Sequence, residues 1–194
     1  AMVGAGFMGA GIAEVSITDG IEVILKDIKE ETIASAKKII HDNFSKRLNK
    51  KAMTQMEYET NMSRLHSKLD YNGFGNVDII VEAVFEEINL KRKVLAECEA
   101  ATSDNCIFAT NTSALSISDI AIDARLPELV IGMHYFSPVP IMPLLEIIVT
   151  VITADWVTAS CYKLGVRQGK SCIVVKYNPG FYTTRIVCHM MNET

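Results

Sequence analysis

Two groups of residues in this chain have types and spacings suited to chemistry. The first is Gly4-Ala5-Gly6-Phe7-Met8-Gly9, followed by Asp27 at the end of the apolar run Glu22-Val23-Ile24-Leu25-Lys26. Glycines spaced this way suit a strand-to-helix turn that holds a pyrophosphate. Gly4 permits the tight turn, Gly6 lets backbone approach the phosphates, and Gly9 lets the helix pack close to the sheet. The helix start at Phe7 and Met8 offers free N–H groups and the positive end of a helix dipole. Asp27 falls where a carboxylate accepts from both hydroxyls of a ribose. An acid there repels a 2′-phosphate, so NAD is expected rather than NADP. The apolar lead-in Ala1-Met2-Val3 and the apolar helix positions Met8, Ile12 and Val15 argue against a glycine-rich turn without a ligand.

The second group is Asn111-Thr112-Ser113, His134 and Glu146, each at or near the end of an apolar run. Of the 4 histidines, His41 and His66 lie in a polar helical region and His189 in the C-terminal tail, whereas His134 directly follows Val130-Ile131-Gly132-Met133. A histidine in that place is by itself often a hydrogen-bonded structural residue. Glu146, inside Leu144-Leu145-Glu146-Ile147-Ile148, changes the reading, because a buried carboxylate needs a partner. An imidazole is a fitting one, since the pair fixes the ring tautomer and strengthens it as a base. Oxidation of an alcohol by hydride transfer needs such a base for the hydroxyl proton.

The elements that position these groups alternate. Residues 1–27 read as strand, glycine-rich turn, helix, turn at Asp19-Gly20 and strand. From Glu30 to about Lys51, Ile33, Ala36, Ile40, Phe44 and Leu48 recur at helical spacing. Thr54 and Glu57 form a capping-box pattern that predicts a second helix toward Leu69. Strands are expected at 77–83, 106–110, 130–133, 144–149 and 172–175, with helices at about 89–101, 117–121 and 155–164. A proline-rich loop carries Pro138, Pro140 and Pro143. The pattern predicts an α/β fold of Rossmann type, doubly wound around a mostly parallel sheet, with an inserted helical hairpin at about 30–69. The expected division is a dinucleotide-binding domain over 1–178 and the start of a truncated C-terminal helical domain over 179–194.

The 194 residues are 49% hydrophobic, enough for a substantial core. A net charge of −4 gives no sign of a nucleic-acid partner. No apolar run reaches membrane-spanning length, so no membrane insertion is expected. Five cysteines form no CxxC pair; they read as reduced intracellular thiols, and no metal site is expected. Cys106 and Cys172 are expected in buried strands. The chain opens inside its expected first strand, as a fragment lacking its natural N-terminus would. The basic cluster Lys46, Arg47, Lys50 and Lys51 has two readings: a solvated helix end matched to its dipole, or a contact for a phosphate-bearing substrate.

Gly-Met-His-Tyr-Phe-Ser-Pro-Val (132–139), Leu-Leu-Glu-Ile (144–147), Asn-Thr-Ser-Ala-Leu (111–115) and Asn-Pro-Gly-Phe-Tyr-Thr-Thr-Arg (178–185), with the glycine motif and Asp27 in register, resemble the 3-hydroxyacyl-CoA dehydrogenases over essentially the whole chain. The Gly-Phe-Tyr-Thr-Thr-Arg stretch is most similar to multifunctional β-oxidation alpha subunits of the mitochondrial trifunctional type; single-function relatives usually read Gly-Phe-Ile-Val-Asn-Arg there. The resemblance implies NAD-dependent oxidation of L-3-hydroxyacyl-CoA to 3-ketoacyl-CoA. It assigns His134 as acid/base, Glu146 as its orienting partner, Ser113 as a hydrogen-bond donor to the substrate oxygen, and Asn111, Glu86 and Lys91 as cofactor contacts. It makes Lys50 the expected CoA-phosphate contact and puts Thr184 where relatives place an active-site Asn. It further implies an acyl-CoA substrate, a mitochondrial location with peroxisome as the alternative, and an oligomeric parent with a thiolase subunit as candidate partner. Two other readings stay open: a hydroxyacid or sugar dehydrogenase on the same fold, which would use a lysine base, and a nucleotide-binding module without turnover.

Overall fold

Parallel strands that share one end are what bring the two groups of residues together. The computed structural model describes residues 1–176, 180–183 and 185–186. Eight strands form one sheet: β1 (Met2–Val3), β2 (Val23–Lys26), β3 (Leu65–Lys68), β4 (Ile79–Glu82), β5 (Ile107–Thr110), β6 (Val130–Tyr135), β7 (Leu144–Val149) and β8 (Ser171–Lys176). Their order is β3-β2-β1-β4-β5-β6-β7-β8. Every pairing is parallel except β6 with β7. The chain winds outward from β1 in both directions, so the crevice between the β1 and β4 ends is the switch point at which such sheets bind ligands. This is the expected Rossmann-type fold.

Among the described residues, six helices cover the sheet: α1 (Phe7–Thr18), α2 (Glu30–Asn49), α3 (Gln55–Ser63), α4 (Ile88–Ala101), α5 (Ile117–Ile120) and α6 (Asp155–Arg167). One core gathers α1, α2 and α6 against the sheet through Ile12, Ile17, Ile40, Phe44, Leu145 and Val157. The other holds α4 and α5 through Val94, Leu95, Ile117 and Ile120. Helix α2 buries the predicted stripe Ile33, Ala36, Ile40 and Phe44. Acids in its first turn and bases in its last complement its dipole. The capping box that opens α3 is present: Thr54 Oγ1 accepts from the Glu57 N–H, and Glu57 accepts from the Thr54 N–H.

The helical hairpin ends earlier than its sequence pattern predicts. Helix α3 stops at Ser63, and Leu65–Lys68 is a strand in parallel register with β2, Val23 opposite Leu65 and Lys26 opposite Lys68. Leu65 is buried while His66 and Lys68 are exposed, as suits a short edge strand with one side toward the core. At the other edge, β8 leaves Val174 exposed and Cys172 only half-buried, so the expected burial of that strand is corrected.

Candidate functional site

The three glycines at the end of β1 are small for three different reasons. Gly4 has φ +97°, and a Cβ there would come 2.7 Å from the Ala83 carbonyl oxygen. At Gly9 a Cβ would collide with the Gly4 carbonyl, so the first turn of α1 lies against the loop that precedes it. Gly6 has an ordinary φ of −67°, and nothing in the protein lies within 4 Å of a Cβ built on it. The fold makes no demand for glycine at Gly6, and the space over the loop there is open. Gly6 is also the N-cap of α1, which has neither a side-chain cap nor an acid in its first turn. The N–H groups at Phe7 and Met8 therefore begin the helix with the arrangement that receives phosphate oxygens.

Asp27 lies just beyond β2, and its carboxylate ties the loop down. Oδ2 accepts from the Ala5 N–H at 2.8 Å, and Oδ1 accepts from the Lys29 N–H at 3.1 Å. A carboxylate has about four acceptor sites, so both oxygens keep capacity for a ligand hydroxyl. Asp27 therefore joins the glycine loop to the part of the crevice a ribose would enter.

Across the crevice, the ends of β4 and β5 are organised by a buried charge network. Glu82 closes β4 and is fully buried. It accepts from Lys91 Nζ at 2.8 and 3.1 Å, from Thr110 Oγ1 at 2.7 Å and from the Val84 N–H at 2.6 Å. Burial pushes its carboxyl above the usual range even with these donors. Lys91 is fully buried too; its ammonium also reaches the Asn111 carbonyl at 3.4 Å and Glu86 at 3.6 Å. Lys91 thus ties Glu82, Glu86 and the Asn111 carbonyl together at the end of the crevice. Glu86 accepts from Thr112 Oγ1 at 2.5 Å and the Ser113 N–H at 2.9 Å. Burial opposes its charge, but these donors and Lys91 outweigh burial and hold the carboxyl below its usual range. The Asn111 side-chain oxygen accepts from the Tyr135 N–H at 3.0 Å, which sets its amide beside the end of β6. Ser113 is exposed on the same loop.

His134 and Glu146 are register partners across the antiparallel pair β6–β7 and so share one face of the sheet. Their side chains meet, His134 Nδ1 lying 2.7 Å from Glu146 Oε2. Glu146 is fully buried and His134 is 6% exposed. The other Glu146 oxygen accepts twice from Thr183, from its N–H and its hydroxyl, both at 2.8 Å. Burial opposes the Glu146 charge, but His134 and the two Thr183 donors overcome it, leaving the carboxyl below its usual range. Phe136 and Phe181 flank the imidazole at ring-centre distances of 4.4 and 5.7 Å. With Nδ1 donating to Glu146, Nε2 is the ring atom left to exchange a proton.

The loop after β6 is pinned from two sides. The buried Lys170 ammonium donates to the Val139 carbonyl and, at 2.9 Å, to that of Met142. Gly11 of α1 packs on Val139, where a Cβ would come within 2.9 Å of the valine Cβ. The helix that begins at the glycine loop thus abuts the loop that follows His134. Lys50 is the C-cap of α2 and exposed, outside these clusters. Thr184 lies outside the described residues.

Residues 1–178 match the family model described as "3-hydroxyacyl-CoA dehydrogenase, NAD binding domain". The chain belongs to this family. Its relatives include the fatty acid oxidation complex subunits alpha of Idiomarina loihiensis and Vibrio vulnificus, 45% and 39% identical over 99% and 100% of the chain. The chain spans only 27% and 28% of those proteins. A crystal structure of (S)-3-hydroxybutyryl-CoA dehydrogenase from Ralstonia eutropha superposes with a TM-score of 0.96 at 34% identity, covering 99% of this chain and 68% of that one. The 3-hydroxybutyryl-CoA dehydrogenase of Escherichia coli K12 gives 0.89 at 32% identity, covering 92% of this chain and 38% of that one.

Within this member of the 3-hydroxyacyl-CoA dehydrogenase family, two site residues escape the sequence reading: Glu82 and Thr183. Glu82 had a signal, an acid ending the apolar run Ile79-Ile80-Val81, the same pattern that exposes Glu146. Thr183 is an ordinary polar residue with no such signal in its neighbours.

Proposed function

We propose that this chain is the NAD-binding and acid/base-bearing part of an NAD-dependent L-3-hydroxyacyl-CoA dehydrogenase of fatty-acid β-oxidation, within a multifunctional alpha-type subunit. The observation that carries the proposal is the buried His134–Glu146 pair at 2.7 Å, at the same end of the sheet as the glycine loop. The residues fit NAD: space over Gly6, an uncapped helix start, and Asp27 tied to the loop. Gly4, Gly6, Phe7, Met8 and Gly9 would hold the pyrophosphate and Asp27 the ribose, with Glu86 and Asn111 lining the nicotinamide end. Bound NAD supplies the hydride acceptor for the alcohol carbon, C3 of the acyl chain.

His134 takes the hydroxyl proton on Nε2 as C3 gives up its hydride, and returns it in the reverse reduction. Glu146 holds the Nδ1–H tautomer and stabilises the imidazolium that forms. Ser113 donates to the substrate oxygen, and Lys50 with its basic neighbours meets the CoA phosphates. A lysine base has less support, because the buried Lys91 and Lys170 ammonium groups already donate to internal acceptors. The relatives named as alpha subunits of a fatty acid oxidation complex support a parent that works in an assembly; a thiolase subunit is the candidate partner that the family resemblance implies. The test is acetoacetyl-CoA reduction by the full-length protein with His134→Gln. Turnover should fall about 10²–10⁴-fold with NADH affinity unchanged; near wild-type turnover would end the proposal.

A further inference from the structure

Glu146 has two oxygens, and only one faces the histidine. The other is held by Thr183, on the segment that follows β8. That segment reaches the pair through backbone in the left-handed region, with φ 76° at Gly180 and 49° at Phe181. A phenylalanine seldom adopts such a φ, and the fold must hold it there. Phe181 is 3% exposed, with its ring beside His134, and Thr183 follows two residues on with both donors on Oε1. The conformation thus serves two contacts with one pair of residues. Among the described residues, His134 from β6 is the charged or titratable side chain that acts on Glu146. From β8 its register partner is the apolar Ile173, and from 180–183 the contact is Thr183.

We propose that Thr183 is a positioning residue for the acid/base pair: its hydroxyl and N–H clamp Oε1 of Glu146 and so set how strongly the carboxylate holds its charge toward His134. The inference rests on the proposed acid/base role of that pair. The hydroxyl is the part a mutation can remove, because the N–H is retained in any variant except proline. With the hydroxyl gone, one donor no longer stabilises the carboxylate charge. Glu146 then takes up a proton more readily, and the pair titrates at higher pH.

The test uses Thr183→Val, nearly equal in shape, and Thr183→Ser, which restores the hydroxyl. Carbon-13 NMR of the glutamate carboxyls in this 194-residue chain, with Glu146→Gln to assign the signal, reads the Glu146 midpoint directly. In Thr183→Val the midpoint should rise by about half a pH unit. In the full-length protein the acid limb of kcat/KM should move in the same direction and kcat fall about three- to tenfold, with NADH affinity within a factor of two. Thr183→Ser should return both readings toward wild type. An unmoved midpoint in Thr183→Val, or a Thr183→Ser variant as impaired as the valine, overturns the proposal. If His134→Gln keeps its turnover, the acid/base assignment falls, while the Glu146 midpoint still decides whether Thr183 sets the carboxylate.

Discussion

The two ends of the crevice are built from opposite materials. At the glycine loop the working groups belong to the backbone: a helix start without a cap, and an open space where a side chain would be. At β6–β7 they belong to buried side chains, and both Glu146 oxygens already have protein partners. A surface that recognises a phosphate must leave its donors free until the ligand arrives. An acid/base pair must instead be held before the substrate arrives, because a misplaced imidazole forfeits the advantage of orientation. Binding and proton transfer should therefore fail separately.

Glu146→Gln gives the largest expected effect. It should lower turnover at least about 100-fold and leave NADH affinity within a factor of two; steady-state kinetics beside calorimetric titration would show whether the two regions come apart. Lys91→Met comes next, because it strands the Glu82 carboxylate in a fully buried site. Breaking such a pair costs about 3–5 kcal/mol, read from urea unfolding. Burial raises the Glu82 carboxyl, and a protonated carboxyl needs no counter-charge, so the deficit should grow as pH rises.

Gly6→Ala and Gly9→Ala sharpen the contrast inside the first region. Gly6→Ala meets no protein atom, so stability should stay within about 0.5 kcal/mol of wild type. Its methyl fills the space over the loop, and NADH affinity should drop about tenfold or more, a loss of at least about 1.4 kcal/mol. Gly9→Ala drives a methyl into the Gly4 carbonyl and should cost about 1–3 kcal/mol of stability. Equal stability losses in the two variants would erase the distinction between a glycine the fold needs and one the ligand needs.

The smallest expected effect is in acid. Burial alone would raise the Glu146 carboxyl, but His134 and Thr183 lower it overall. Its contribution to stability is therefore complete above the unfolded value of roughly 4.3 and is lost as pH falls through the lower folded value. The advantage of wild type over Glu146→Gln in urea unfolding should shrink over that window. An advantage that grows in acid would mean that the pair does not favour the carboxylate.

The sequence makes much of this legible because several signals are local. Gly4, Gly6 and Gly9 are separated by fixed offsets, and Glu57 caps Thr54 three residues away. Even His134 and Glu146 are within reach, because the connection over 136–143 suits an antiparallel return and is too short for the crossover of about a dozen or more residues that a parallel pair needs. Leu65–Lys68 is misread as helix because a four-residue edge strand with one buried residue has almost no period of its own; its pairing with β2 decides it. The Glu82 partner of Lys91 is not foreseen because residue type does not tell which carboxylate a buried ammonium meets. Thr183 is missed because its partner is 37 residues away, across the sheet.

The antiparallel pairing of β6 and β7 behaves like a reading frame. Tyr135 faces Leu145, His134 faces Glu146 and Met133 faces Ile147. A slip of one residue in either strand would leave the sheet intact and turn the carboxylate to the opposite side, away from the ring. Lineages that carry this hairpin should therefore preserve the phase of the two strands, and a frame error would produce a well-folded protein with nowhere to put the proton.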